Sequence, residues 1–213
     1  MRRRWVAAAV VWLVVCGGVA CAAIVGLLSV KRLASPVEIE NTYGALVAAQ
    51  AFFLVFLWPL FERAPLDRES PTREVSGLLV RLVGLLVLAV PLVLIAVRTG
   101  DVSTAGVLWS QAFLLLVGVS AGAACRLPGA GVWYYPAAFL VAGVVPLLGY
   151  LLREEGGLST EWAAVASPLW AAGSLAAGGR VLWRMLVYGA LAVGATAGLF
   201  VLGARGPADA DHA

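Results

Sequence analysis

The chain has 213 residues, 62% of them hydrophobic and 13% charged, with a mean hydropathy of +0.95. Soluble domains carry about 25% charged residues, so the composition excludes an ordinary soluble domain and points to a membrane protein. The net charge of +3 does not indicate a nucleic-acid partner, because the arginines are scattered between apolar runs and build no basic patch.

A helix that crosses a bilayer needs about 20 mostly apolar residues. The first such run covers residues 5–30 behind the arginines of MRRRW. It is longer than the roughly 7–15-residue apolar core of a signal peptide, so an uncleaved first helix with its arginines in the cytoplasm is expected. Cys16 and Cys21 lie within this run and Cys125 lies far from both, with no CxxC spacing. Small buried fillers are expected there, not a disulfide framework or a zinc site.

A second run, 43–61, carries Gln50 at its middle. It ends in the most charged stretch of the chain, FERAPLDRESPTREVSGLLVRL, residues 61–82. Ser70, Pro71 and Glu74 suit the N-cap, first position and acidic first turn of a new helix. The connection containing Glu62, Arg63, Arg73 and Glu74 is therefore either a solvated loop or a docking knob for a soluble partner. The third run, 75–97, is interrupted only by Arg81, near enough to its end to snorkel to the interface.

The fourth run, 102–125, carries Gln111. Gln50 and Gln111 are costly in a bilayer, so each is expected to bond across a helix interface or to line a path. Gly118 and Gly122 form a GxxxG pattern here, as Gly194 and Gly198 do in the last run, and such spacing lets helix backbones approach closely. The fifth run, 127–152, contains Pro136 and Pro146; with Pro59 and Pro91 these predict kinks.

Residues 162–179 have the length of a span but consist largely of Ala, Gly and Ser around Pro168. They either cross the membrane or dip in and return. The last run covers 185–204. The result is an all-α, polytopic helical bundle forming a single membrane domain over 1–213, with six spans and one ambiguous segment. Aromatic residues at run ends, among them Trp109, Trp133, Tyr150 and Trp162, suit an interfacial belt.

Counting Lys and Arg gives ten inside against five outside if all seven segments span, and nine against six if 162–179 returns. Both arrangements keep the N-terminus and the 62–74 connection in the cytoplasm. The acids Glu38, Glu40, Glu154, Glu155 and Glu161 then fall in outer loops and read as solvated faces.

Chemistry is sparse. The one histidine, His212, stands second from the end, and no Walker A loop or GxSxG elbow occurs. No catalytic site, metal or other cofactor is expected, and no carboxylate lies deep in any of the six runs.

The ER pair Glu62-Arg63 and the segment SPTREVSGLLVRL (70–82) resemble the connection after the second helix in the membrane subunits of type-2 ABC transporters, the ABC-2 permeases that include the haem-exporter B subunit. Gly77 stands at that family's glycine, while Leu78 stands where the family has lysine. SPLWAAGSLAAGGR (167–180) is similar to the family's proline-containing outer segment, with Pro168 and Arg180 in the matching places, and this favours the returning arrangement. The resemblance implies a permease of the bacterial cytoplasmic membrane that binds no nucleotide itself. It also implies a homodimer, and contact between the connection and a separate ATP-binding subunit. The alternative from the residues alone is a non-transporting membrane scaffold or assembly factor that associates through its small-residue faces.

Overall fold

The computed structural model describes residues 2–30, 42–62, 71–99, 102–156, 161–176 and 181–204. Its helices are α1 (Arg2–Val30), α2 (Thr42–Phe52), α3 (Trp58–Glu62), α4 (Pro71–Thr99), α5 (Thr104–Ala124), α6 (Ala130–Phe139), α7 (Val145–Gly156), α8 (Glu161–Ala166), α9 (Pro168–Ala176) and α10 (Leu182–Ala204). Among the described residues there is no strand. A π-turn at Phe53–Leu57 joins α2 to α3, and another at Leu140–Val144 joins α6 to α7, so each pair is one rod.

Among the described residues six rods are long and apolar enough to cross a membrane: Arg3–Ala22, Thr42–Glu62, Thr72–Arg98, Thr104–Ala124, Ala130–Leu152 and Leu182–Val201. The fifth begins at Ala130, three residues later than the apolar run. Gly129 takes the left-handed conformation, φ 74°, and closes a turn after Arg126 that a side chain would strain. The segment 162–179 is not one rod. Helices α8 and α9 have 6 and 9 residues, each well short of the roughly 20 a span needs.

Polarity is arranged as in an integral membrane protein. Val80, Val87 and Leu94 form an outward stripe on α4 at seven-residue spacing, and Val14, Val132, Trp133 and Val193 are also exposed. Gln50, Glu62, Ser110, Arg126 and Ser167 are buried. Water would disfavour so continuous an apolar exterior, whereas a bilayer would not.

The α2–α3 rod and α5 form the centre, each half buried along its span, against 11% for α6–α7. Helices α1 and α4 pack beside α2, α10 packs against α5, and α9 packs against both central rods. The start of α1, the end of α3, the start of α4 and the end of α5 gather at one end of the bundle. The end of α10 joins them there, since a Cβ on Gly198 would lie 3.2 Å from Leu127. At the opposite end α9 finishes against α5, with the Ala176 carbonyl oxygen 3.2 Å from where a Cβ on Gly106 would stand.

Proline explains the irregularities. It lacks an N–H and its ring collides with the carbonyl four residues back. Pro59 and Pro146 each stand two positions after a π-turn, whose wider winding relieves that collision. Pro168 instead ends one helix and starts the next: Ser167 caps α9, its Oγ accepting from the Trp170 N–H at 3.4 Å, and Pro168 fills the first position. The carbonyl of Ala166, at this break, accepts from the Tyr188 hydroxyl at 2.8 Å.

Candidate functional site

The end of the bundle where α1, α3, α4 and α5 meet holds four charged side chains in one cluster. Glu62 is the last residue of α3, and its carboxylate meets the Arg81 fork through two bonds, Nε to Oε1 at 2.8 Å and Nη2 to Oε2 at 2.7 Å. Arg126, just past α5, donates from Nε to the Glu62 carbonyl oxygen at 3.2 Å and from Nη2 to Glu62 Oε2. Its Nη1 donates to Glu74 Oε2 at 2.7 Å, which ties in the first turn of α4. The side chains of Glu62 and Arg126 are only 5% and 3% exposed.

Helix electrostatics favour most of this arrangement. A carboxylate suits the positive start of α4 and a cation suits the negative end of α5, whereas Glu62 at the negative end of α3 requires its two arginines. Burial makes the pairing obligatory, because removing one member of a buried pair strands the other, at about 3–5 kcal/mol. Arg81 leans back toward the start of α4, as helical side chains do. Gly77 gives it room, since a Cβ there would lie 3.2 Å from Arg81 Nη1.

The residues singled out in the charged stretch thus separate. Glu62, Glu74 and Arg81 join the cluster, and Gly77 supports it. Arg73 is exposed, and its carbonyl accepts from Ser76 Oγ at 3.1 Å. Arg63 lies outside the described residues, as do Ser70 and Arg180. One reading changes. Glu62 is buried, not part of a solvated loop face, because Arg81 and Arg126 from distant segments partner it. Arg81 turns toward Glu62 while keeping 24% of its side chain exposed.

Halfway up the central rods lies a neutral network. Gln111 Nε2 lies 3.2 Å from Gln50 Oε1 and 3.3 Å from the Tyr43 hydroxyl, donating to these two acceptors. The Tyr43 hydroxyl is 2.6 Å from Ser110 Oγ. These bonds join α2 to α5. The Gln50 amide nitrogen is buried without an acceptor.

Gly118 and Gly122 are used inside the bundle. A Cβ on Gly118 would come within 2.6 Å of Leu82, and one on Gly122 within 2.6 Å of Leu78 and 2.9 Å of the Trp58 indole nitrogen. Two i, i+4 pairs, Leu78/Leu82 on α4 and Leu54/Trp58 on the α2–α3 rod, thus interlock over this groove. Gly194 has open space around it.

An apolar cavity of about 520 Å³ lies beside the bundle centre, lined by α5, α6, α10 and Pro168. Its hydroxyls are all occupied: Tyr134 donates to the Val55 carbonyl at 2.8 Å, Tyr188 to Ala166 and Ser120 to the Leu116 carbonyl at 2.8 Å. The walls therefore offer apolar contact and little else.

Sequence reasoning missed Arg126, Tyr43, Ser110, Tyr134 and Tyr188 as site residues. Arg126 carried one local signal, being the first charge after Asp101. Among the described residues no group of His, Cys, Asp and Glu could hold a metal ion. No protein family, curated protein or solved structure matches the chain.

Proposed function

We infer that the chain is the membrane-spanning permease subunit of an ABC-type exporter, with ATP hydrolysed by a separate subunit. The observation that carries this reading is the linkage of Glu62 and Glu74, on either side of the 63–70 connection, through Arg126 at the end of α5. Force applied to that connection would pass through short charge-assisted bonds into α3, α4 and α5 together, the rigid-body coupling that alternating access requires.

In this reading α8 and α9 form a returning pair that dips from the far end and turns at Pro168. Two observations support it: Pro168 lines the cavity beside Val55 and Val117, well inside the bundle, and α9 finishes against Gly106. The cluster end would face the cytoplasm, where the connection meets the ATPase.

The test is affinity purification from native membranes. The wild-type chain is expected to recover an ATPase, and Arg73→Glu, an exposed change outside the buried cluster, is expected to weaken that recovery with folding intact. Recovery of no ATPase would overturn the proposal. The scaffold reading retains one supporting observation, the open surface around Gly194, and predicts that Gly194→Leu disrupts a membrane complex.

A further inference from the structure

Helix α6 stands apart from the rods beside it. Among the described residues it packs closely against neither α5 nor α10, and the apolar cavity of about 520 Å³ occupies the gap between the three. A π-turn followed by proline does not by itself cause such a separation. Helix α2 leads into the same device, yet it packs against α1, α4, α5 and α9.

The walls of the gap suit contact. Ala121 and Ala124 on α5, Ala137 and Ala138 on α6, and Ala190 and Gly194 on α10 line it, small residues of the kind that let helix backbones approach closely in lipid. Held apart, they forgo the dispersion contacts of a closed seam. Tyr134 lines the same cavity, and its hydroxyl reaches the Val55 carbonyl on the second rod at 2.8 Å. It acts as a strut. Lipid tails are as apolar as these walls, so closure gains nothing from excluding water, and one hydrogen bond is enough to tip the balance.

The fifth rod also has a place to bend. Its π-turn at Leu140–Val144 packs on α9, and α7 packs on α8, which anchors that half of the rod. Pro146 removes a backbone donor there, and hinges lie at element ends of this sort. At its other end α6 is joined to α5 by a turn in which a Cβ on Gly129 would meet nothing within 4 Å.

We propose that α6 is a hinged wall: it pivots at the π-turn Leu140–Val144, is propped open by the Tyr134 hydroxyl on Val55, and closes onto α5 and α10 when that bond is released. The motion follows from the packing of α6 and does not require the transport reading.

Spin-label distance measurements on the full chain in lipid nanodiscs test it, with Cys16, Cys21 and Cys125 replaced by serine. Labels at Val132→Cys and Val193→Cys, on exposed positions of α6 and α10, report the swing. Labels at Leu147→Cys and Val193→Cys report the anchored half beyond the hinge. The first pair is expected to show the open separation with a minor shorter one. Tyr134→Phe should raise the ratio of short to open about fivefold, the effect of losing one hydrogen bond. The second pair should stay fixed, which also shows that the bundle remains folded. Adding Ala138→Phe, a wedge in the gap, should abolish the shorter separation. A single unchanged distance at the first pair, a shift toward longer separations, equal changes at both pairs, or a shorter population that survives the wedge would each overturn the hinged wall.

Discussion

The Tyr134 hydroxyl donates to the carbonyl of Val55, 2.8 Å away, and Val55 is the residue four positions before Pro59. In an unbroken α-helix that carbonyl would pair with the N–H that proline lacks. A tyrosine from α6 thus supplies the Val55 carbonyl with a donor in place of the one that Pro59 lacks.

Tyr134→Phe should cost about 1 kcal/mol, the net value of one hydrogen bond, read as a lower unfolding temperature in detergent. Restoring the missing N–H should reduce the loss. In the Pro59→Ala background Tyr134→Phe is expected to cost measurably less, and strict additivity of the two changes would contradict this role for Tyr134.

Glu62→Ala should destabilise the chain by about 3–5 kcal/mol, because it leaves Arg126 buried with one of its two carboxylate partners missing. Chemical denaturation in mixed micelles measures this. The difference between wild type and variant should persist at raised salt, since the Glu62 and Arg126 side chains are almost wholly shielded from solvent.

Gly118→Ala should destabilise by about 1–3 kcal/mol, the usual cost of overpacking, because its methyl group would enter the space of Leu82. Adding Leu82→Ala should recover part of that loss. Gly194→Ala, with nothing near it, should leave the unfolding temperature unchanged.

Side-specific labelling tests the arrangement of the rods. With Cys16, Cys21 and Cys125 replaced by serine, a reagent added to one face of sealed vesicles should reach Arg73→Cys but not Trp183→Cys. The opposite face should give the reverse. A reporter fused after Ala213 should share the compartment of Arg73, as an even number of spans requires.

The rods themselves were legible in the sequence, because hydrophobic length is a local property: uncharged runs such as 43–61 and 102–125 suffice to place them. Pro71 and Glu74 likewise marked the start of α4 through helix-end chemistry alone. Pairings were not legible. Nothing near residue 126 says that its guanidinium meets Glu62, 64 positions away, and nothing near Tyr188 says that it caps Ala166. The split at Ser167 was half visible. Pro168 announced an irregularity, but not that one helix would end at Ala166 and another begin at Pro168.

The π-turn at Phe53–Leu57 sets the angular register of the second rod. Tyr43 and Glu62, nineteen positions apart, both reach toward partners on or just beyond α5. At about 100° per residue, nineteen steps of plain α-helix would leave them roughly a quarter turn out of phase. With one residue absorbed by the wider loop, the other eighteen make about five whole revolutions and the two side chains point the same way. Tightening that loop into plain α-helix with every residue kept would rotate Glu62 by about 100° off its arginines, whereas deleting one residue from 53–57 would straighten the rod and keep the two side chains in phase.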